Sequence, residues 1–177
     1  MAAVGINIPN LLTISRILLV PVFIIFIIND ELSKALIVFI AAGITDALDG
    51  LIARLFNQKT LVGAYLDPVA DKLILMSAYI TLAIKDILPN WLSVVVVSRD
   101  VIILIGIIVL VLMDKEIKIR PSIVSKITTM LQVITVISVI MAAGTHVDLI
   151  FILIMLTMIF TIASGIHYMY RGIKILG

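Results

Sequence analysis

The sequence contains no cysteine and few charged residues. The absence of cysteine excludes disulfide bonds, thiolate metal sites and cysteine nucleophiles. Charged residues make up 14% of the 177 residues, whereas a typical soluble domain has about 25%. No run of lysine and arginine is long enough to indicate a nucleic-acid-binding surface. These absences exclude an ordinary soluble domain, a disulfide scaffold and a nucleic-acid-binding protein.

Hydrophobic residues are abundant and predict an all-α, polytopic membrane protein. They make up 63% of the chain, against about 45–50% in soluble domains. A helix crosses a bilayer with about 20 apolar residues, so the chain has room for six spans in a single membrane domain, residues 1–177. We predict spans at residues 11–28, 32–56, 63–84, 91–113, 125–143 and 149–170. Asn10 or Thr13 is predicted to cap the first helix, because short polar side chains accept hydrogen bonds from its free amides.

The basic residues between the spans predict the orientation. Six spans place both termini on one side of the membrane. That side collects most of the loop cations: Lys59, Lys115, Lys118, Arg120, Arg171 and Lys174. The other side has only Lys34 and Lys85. Because cytoplasmic loops carry the excess of lysine and arginine, we predict cytoplasmic termini in a bacterial inner membrane or an equivalent organelle membrane.

Four aspartates stand out in the apolar sequence between residues 46 and 71. Asp46 and Asp49 are three residues apart, and Asp67 and Asp71 are four apart, so each pair shares one helix face. A short link makes the two helices antiparallel neighbours, and the four carboxylates converge at their cytoplasmic ends. Carboxylate oxygens suit Mg²⁺ or Mn²⁺. Four carboxylates favour two ions, about 3.5–4 Å apart.

Small and basic residues beside these acids predict a phosphate ester as substrate. Gly50, Gly63 and Ala53 keep the surface low, so a bulky group can approach the backbone. Arg54 offers a forked donor that matches phosphate oxygens. The membrane location then favours a lipid phosphate.

Two other interpretations of the aspartates remain open at this point. In the first, they form buried ion pairs with Arg54, Arg99 and Lys126, but such pairs stabilise little and the acids outnumber the nearby bases. In the second, they line the ion pathway of a divalent-cation transporter. Their position at one edge of the membrane, without polar partners in the outer half, disfavours this transporter.

The spacing of these residues resembles the signature of the CDP-alcohol phosphotransferase family. The pattern is Asp46-x2-Asp49-Gly50-x2-Ala53-Arg54-x8-Gly63-x3-Asp67-x3-Asp71. The resemblance implies transfer of a phosphatidyl group from CDP-diacylglycerol to an alcohol, with release of CMP, by a homodimeric membrane enzyme. It also implies that Asp46, Asp49 and Asp67 hold two metal ions, while Asp71 is both ligand and general base.

The same resemblance implies which residues contact the CDP-lipid. They are Gly50, Ala53, Arg54, Thr60 and Gly63, together with Asn10 and Thr13 in the opening segment. That segment, which runs from Asn7 through Arg16, is similar to the branch of the family that makes phosphatidylglycerophosphate.

Arg99 and Lys126 are predicted to select the acceptor alcohol. A bland interpretation makes Arg99 and Asp100 a charge pair within a helix and Lys126 an interfacial anchor. Alternatively, Arg99 and Lys126 form a cationic pocket for a phosphate on the acceptor. Glycerol 3-phosphate fits this pocket. The sequence Ser98-Arg99-Asp100 also resembles the cardiolipin-forming branch of the family, whose acceptor is phosphatidylglycerol. The phosphodiester of that lipid would use the same two cations. We favour glycerol 3-phosphate.

Overall fold

The computed structural model describes residues 8–55, 61–112, 123–142 and 147–176. Side chains are described in these ranges except at positions 8–10, 47, 49–55, 61–69, 71, 107–112, 147 and 171–176. Apart from short turns, these ranges are helical: α1 Ile8–Ile28, α2 Leu32–Leu55, α3 Leu61–Ile84, α4 Asn90–Leu112, α5 Ile123–Met141 and α6 Val147–Leu176. The predicted all-α class is confirmed, and each predicted span corresponds to one helix.

The start of α1 differs from the prediction. The helix begins at Ile8, so Asn10 and Thr13 lie inside it and neither is its cap. Pro9 does not delay the helix, because the first four amides of a helix have no intrahelical acceptor and a proline there loses nothing. Thr13 is fully buried on the packed face of α1 instead.

The helices form two compact units, residues 1–85 and 86–177. In the first unit, α1 packs along both α2 and α3. Among the described residues, α2 and α3 make little direct contact, so these predicted neighbours are joined mainly through α1. In the second unit, α6 packs against both α4 and α5. Each unit is therefore built around one central helix, α1 in the first and α6 in the second.

A tight turn reverses the chain between α1 and α2. The amide of Glu31 donates to the carbonyl of Phe26 at 2.9 Å, and the amide of Asp30 donates to that of Ile27 at 3.1 Å. This pair of bonds is a Schellman motif, which requires a left-handed residue after the helix. Asp30 supplies it with a φ of 60° and also forms an ion pair at 2.6 Å with Lys85, the residue that follows α3. The turn is thereby fixed by both backbone and side-chain contacts.

The polarity of the helices is the reverse of that in a soluble protein. The exposed side chains that the structure describes in α1 are all apolar: Leu11, Ile14, Leu18, Pro21, Val22, Ile25 and Ile28. Its buried face carries Thr13 and Arg16 besides Phe23 and Ile27. An apolar surface over a partly polar interior suits a lipid environment. Among the described residues, three segments are long and apolar enough to cross a membrane: Leu11–Ile28, Ile123–Met141 and Asp148–Tyr170.

Buried polar side chains join α5 to α6. The hydroxyls of Thr135 and Thr157 are 2.7 Å apart, and the Gln132 amide donates to the Thr161 hydroxyl at 3.2 Å. One turn further along, the Thr128 hydroxyl lies 3.0 Å from the backbone carbonyl of Phe160. Hydrogen bonds of this kind hold membrane helices together where the hydrophobic effect contributes little.

Removing the two hydroxyls of the Thr135–Thr157 contact tests this role. Valine has nearly the shape of threonine, so Thr135→Val and Thr157→Val each delete a hydroxyl without opening a cavity. We expect a coupling energy of about 0.6 kcal/mol between the two substitutions, the average for such contacts in membrane helices. Unfolding of the purified protein in mixed micelles measures it, with Thr129→Val as the control on α5. Strictly additive losses would show that the hydroxyls do not interact.

Candidate metal and phosphate site

Asp46 is the one signature aspartate whose side chain is described, and it forms an ion pair with Arg16 of α1. The Arg16 Nη1 atom lies 2.7 Å from the Asp46 Oδ1 atom. The Arg16 side chain is completely buried, whereas 46% of the Asp46 side chain is exposed. A carboxylate of the predicted metal site is thus open to solvent on one side and held by a buried cation on the other.

The packing of α1 against α2 explains why these two residues meet. The rings of Phe23 and Phe39 contact each other, with their centroids 5.8 Å apart. Arg16 precedes Phe23 by seven residues, and Asp46 follows Phe39 by seven. Seven residues make about two helical turns. Because the two helices run in opposite directions, the aromatic contact sets a register that brings Arg16 level with Asp46.

The remaining signature aspartates belong to α2 and α3, but their side chains lie outside the described residues. Asp49 lies six residues before the end of α2 at Leu55, and Asp67 lies six residues after the start of α3 at Leu61. Asp46 and Asp71 lie nine and ten residues from the same two ends. By helical rise, Asp49 and Asp67 lie about 9 Å from these two helix ends, and Asp46 and Asp71 lie about 14 Å from them. The helix bounds therefore put the four positions at comparable distances from the ends of α2 and α3.

The residues predicted to contact the CDP-lipid fall mostly outside the described side chains. Gly50, Ala53 and Arg54 lie in α2, and Gly63 lies in α3. Thr60 is outside the described residues altogether. The opening pair is in α1, where the Asn10 side chain is not described and Thr13 is buried one turn before Arg16.

Arg99 lies at the centre of a buried polar cluster in the second unit. Its Nη1 atom donates to Asp100 at 2.6 Å, and its Nη2 atom donates to the hydroxyls of Ser125 and Ser164, both at 2.8 Å. The guanidinium carbon lies 5.9 Å from the ring centroid of Tyr168, within the range of a cation–π contact. Arg99 is 3% exposed and Asp100 is fully buried. Arg99 therefore ties α4 to α5 and α6, and it forms a charge pair with Asp100 within α4.

Lys126 has a different environment. It is exposed on α5 and directly follows Ser125, which receives a hydrogen bond from Arg99. Of the two cations predicted to bind the acceptor, Arg99 is thus held by four side chains, whereas Lys126 is exposed.

Sequence reasoning missed the contacts of Arg16 and Arg99, the two arginines that are buried among the described residues. It used Arg16 only as part of a family resemblance, although an arginine inside an apolar span requires a nearby anion. Ser125 and Ser164 carried no signal, since single serines are common in membrane helices. The ring of Tyr168, which packs against the guanidinium of Arg99, carried no signal either.

The residues at the first-unit site fit divalent metal ions. Mg²⁺ and Mn²⁺ take oxygen ligands, and carboxylates are the usual charged ones. Asp46 is 46% exposed, and its Oδ1 atom is paired with Arg16. The remaining signature positions supply further carboxylates on the same two helices.

The chain was then compared with known proteins. The sequence profile of CDP-alcohol phosphatidyltransferases matches residues 6–163. The chain is 30% identical over 176 residues to CDP-diacylglycerol–glycerol-3-phosphate 3-phosphatidyltransferase of Aquifex aeolicus, a match that covers 96% of this chain and 98% of that protein. It is 33% identical over 187 residues to the CMP-forming cardiolipin synthase of Homo sapiens, covering 95% of this chain and 62% of that protein.

A shorter match has higher identity. Cardiolipin synthase of Rattus norvegicus is 46% identical over 99 residues, which cover 55% of this chain and 33% of that protein. The matches thus span a third and about three fifths of the two mammalian relatives. The family profile covers most of the chain and includes every signature residue. The chain therefore belongs to the CDP-alcohol phosphatidyltransferase family.

Proposed function

We propose that this protein is an integral membrane enzyme that transfers a phosphatidyl group from CDP-diacylglycerol to glycerol 3-phosphate and releases CMP. The observation that carries the proposal is the half-exposed Asp46 carboxylate, the first acid of a complete family signature, held by a buried arginine where α1 packs on α2. Family membership supports the reaction type. The nearly full-length match to the Aquifex aeolicus protein supports the acceptor.

Asp46, Asp49, Asp67 and Asp71 would hold two Mg²⁺ or Mn²⁺ ions. Such ions would neutralise charge on the pyrophosphate of the donor and on the departing CMP. Asp71 accepts the proton of the acceptor hydroxyl. The hydroxyl oxygen forms a bond to the lipid-linked phosphorus, and the bond from this phosphorus to the CMP oxygen breaks.

The remaining signature residues would bind the donor. Gly50, Ala53 and Gly63 leave room for the cytidine diphosphate group beside the carboxylates, and Arg54 pairs with its phosphate oxygens. Thr60, Asn10 and Thr13 complete this proposed donor site. For Thr13 the described position, one turn from Arg16 on the buried face of α1, supports a place beside the acids.

We assign the phosphate of the acceptor to Arg99 and Lys126. The exposed Lys126 is available to an incoming anion, and Arg99 contacts its neighbour Ser125. Phosphatidylglycerol is the second candidate acceptor, which would make the protein a cardiolipin synthase. Within the 99 residues that match, the 46% identity to the rat enzyme favours this alternative.

The proposed architecture has six transmembrane helices, cytoplasmic termini and an active site facing the cytoplasm of a bacterial inner membrane. The three helices with membrane-spanning segments support it, as does the distribution of lysine and arginine. We further propose that residues 1–177 act as one domain, because the family profile runs through both units, and that the enzyme is a homodimer.

One experiment tests the reaction and the acceptor together. Purified protein receives CDP-diacylglycerol and Mn²⁺ or Mg²⁺, with glycerol 3-phosphate, phosphatidylglycerol or neither. We expect CMP release with glycerol 3-phosphate and phosphatidylglycerophosphate as the lipid product, identified by mass spectrometry. Release with phosphatidylglycerol alone would establish the second candidate. No CMP release with either acceptor, combined with Mn²⁺ uptake into sealed vesicles, would instead support a divalent-cation transporter.

A further inference from the structure

The ion pair between Arg16 and Asp46 joins a wholly buried cation to a partly exposed anion. Arg16 has no exposed side-chain surface, while nearly half of the Asp46 side chain is accessible. A buried guanidinium that loses a neighbouring carboxylate is strongly destabilising. An exposed carboxylate, by contrast, can be solvated or can bind an ion from solution. The two partners therefore differ in how much each depends on the other.

Packing fixes Arg16 at the level of the acids. It lies on the same face of α1 as Thr13, Phe23 and Ile27, all of them fully buried. Helix α1 also packs on α3, which carries Asp67 and Asp71. A cation at this position is thus part of the interior of the unit and cannot leave the site when a metal ion arrives.

We propose that Arg16 is a resident counter-cation of the metal site, which stabilises Asp46 in the metal-free protein and opposes metal binding there. The inference rests on the proposed function, since it takes Asp46 as a metal ligand. Arg16 is a positioning residue in this scheme, because it acts through attraction to the Asp46 carboxylate and repulsion of the ion and does not touch the reacting atoms. Its contact is with the Oδ1 atom of a carboxylate side chain that remains 46% exposed.

The direction of the effect follows from the signs of the charges. Arg16 and a divalent cation attract the same carboxylate and repel each other, and charges a few ångströms apart at the edge of a protein interact appreciably. Without metal, the site holds several negatively charged carboxylates close together. Removing the positive charge of Arg16 therefore destabilises the metal-free state more than the metal-bound state. A neutral residue at position 16 should therefore lower stability without metal and tighten metal binding.

The test measures Mn²⁺ affinity on purified protein without substrate, from the electron paramagnetic resonance signal of free Mn²⁺. We expect Arg16→Gln to bind Mn²⁺ about tenfold more tightly than the unmodified protein, a change of about 1.4 kcal/mol. Arg16→Lys keeps the charge, so its affinity should stay within about threefold, or about 0.7 kcal/mol. Melting temperatures should agree: Arg16→Gln melts lower without metal and gains more from Mn²⁺.

Lys85→Gln is the matched control. It breaks another ion pair of the same unit, with Asp30, at the opposite end of α1 from the acids. It should lower the melting temperature slightly with and without Mn²⁺ and leave the affinity unchanged. Equal or weaker Mn²⁺ binding by Arg16→Gln would overturn the inference and give Arg16 a purely structural role.

Asp46→Asn separates this inference from the proposed function. If the unmodified protein binds no Mn²⁺, or if Asp46→Asn binds as tightly, the proposed metal site itself fails. If Asp46→Asn weakens binding while Arg16→Gln does not tighten it, only the counter-cation inference fails. Should Arg16→Gln not fold, Arg16→Met is combined with Asp46→Asn, which removes both charges. This double variant should bind Mn²⁺ about tenfold more tightly than Asp46→Asn alone, and equal affinity would overturn the inference.

Discussion

Replacement of Asp71 by asparagine should reduce CMP release from CDP-diacylglycerol by about 10²–10⁴-fold, the usual contribution of a general base. Asparagine has nearly the same size but cannot accept the hydroxyl proton, and it is a weaker ligand for a divalent cation. The measurement is the initial rate of CMP release at saturating Mn²⁺ and saturating acceptor. Saturation with metal separates the loss of the base from a simple loss of metal affinity.

Asp148→Asn is the control for this substitution. Asp148 is exposed in the first turn of α6, so its neutralisation changes the net charge equally but should leave the rate unchanged. A rate for Asp71→Asn within a few-fold of the unmodified enzyme would contradict the assignment of Asp71 as base. A complete recovery at higher Mn²⁺ would reduce its role to that of a metal ligand.

Arg99→Ala should destabilise the second unit by about 3–5 kcal/mol, the cost of removing one partner from a buried ion pair. The substitution leaves Asp100 buried without the guanidinium at 2.6 Å. It also removes the hydrogen bonds that connect α4 to Ser125 of α5 and Ser164 of α6. Unfolding in mixed micelles measures the loss. Lys126→Ala, an exposed cation on α5, should change stability by less than about 0.5 kcal/mol.

A double substitution separates the structural role of Arg99 from its proposed role in acceptor binding. Arg99→Met with Asp100→Asn removes both charges and should recover much of the stability, since neutral replacements of buried ion pairs are often tolerated. If Arg99 meets the acceptor phosphate, the KM for glycerol 3-phosphate should stay raised at least about tenfold in this double variant and in Lys126→Ala. A normal KM in a stable double variant would make Arg99 a structural residue and leave the acceptor to Lys126.

The helices could be predicted from the sequence because they depend on local patterns, and the metal site proposed for the acids rests on local spacing as well. Runs of apolar residues separated by short polar turns define the helix ends to within three residues, except that α6 continues to Leu176, six residues beyond its predicted end. The signature aspartates occupy fixed intervals along α2 and α3, so their levels follow from helical rise alone. The family, too, could be predicted, since its residues all lie within one short stretch.

The contacts of Arg16 and Arg99 could not be predicted, because they depend on how separate helices pack. Arg16 reaches Asp46 only through the register that Phe23 and Phe39 set. Arg99 finds two serines that are 26 and 65 residues away in the chain. The predicted cap at Asn10 or Thr13 was wrong for a different reason: the first turn of a helix accepts proline, so α1 already begins at Ile8 and includes Pro9.

The turn at Asp30 has a consequence for changes in chain length. It holds the end of α1 and the beginning of α2 in one arrangement, and the Arg16–Asp46 pair lies roughly 20 Å from it by helical rise. An extra residue that became part of α2 would rotate the following residues by about 100° about the helix axis. Asp46 would then no longer lie on the face of α2 that Arg16 contacts. Surface turns usually tolerate insertions, but an insertion here would change the position of Asp46 relative to Arg16. Its length is therefore a property of the proposed metal site, although none of its residues is near the acids.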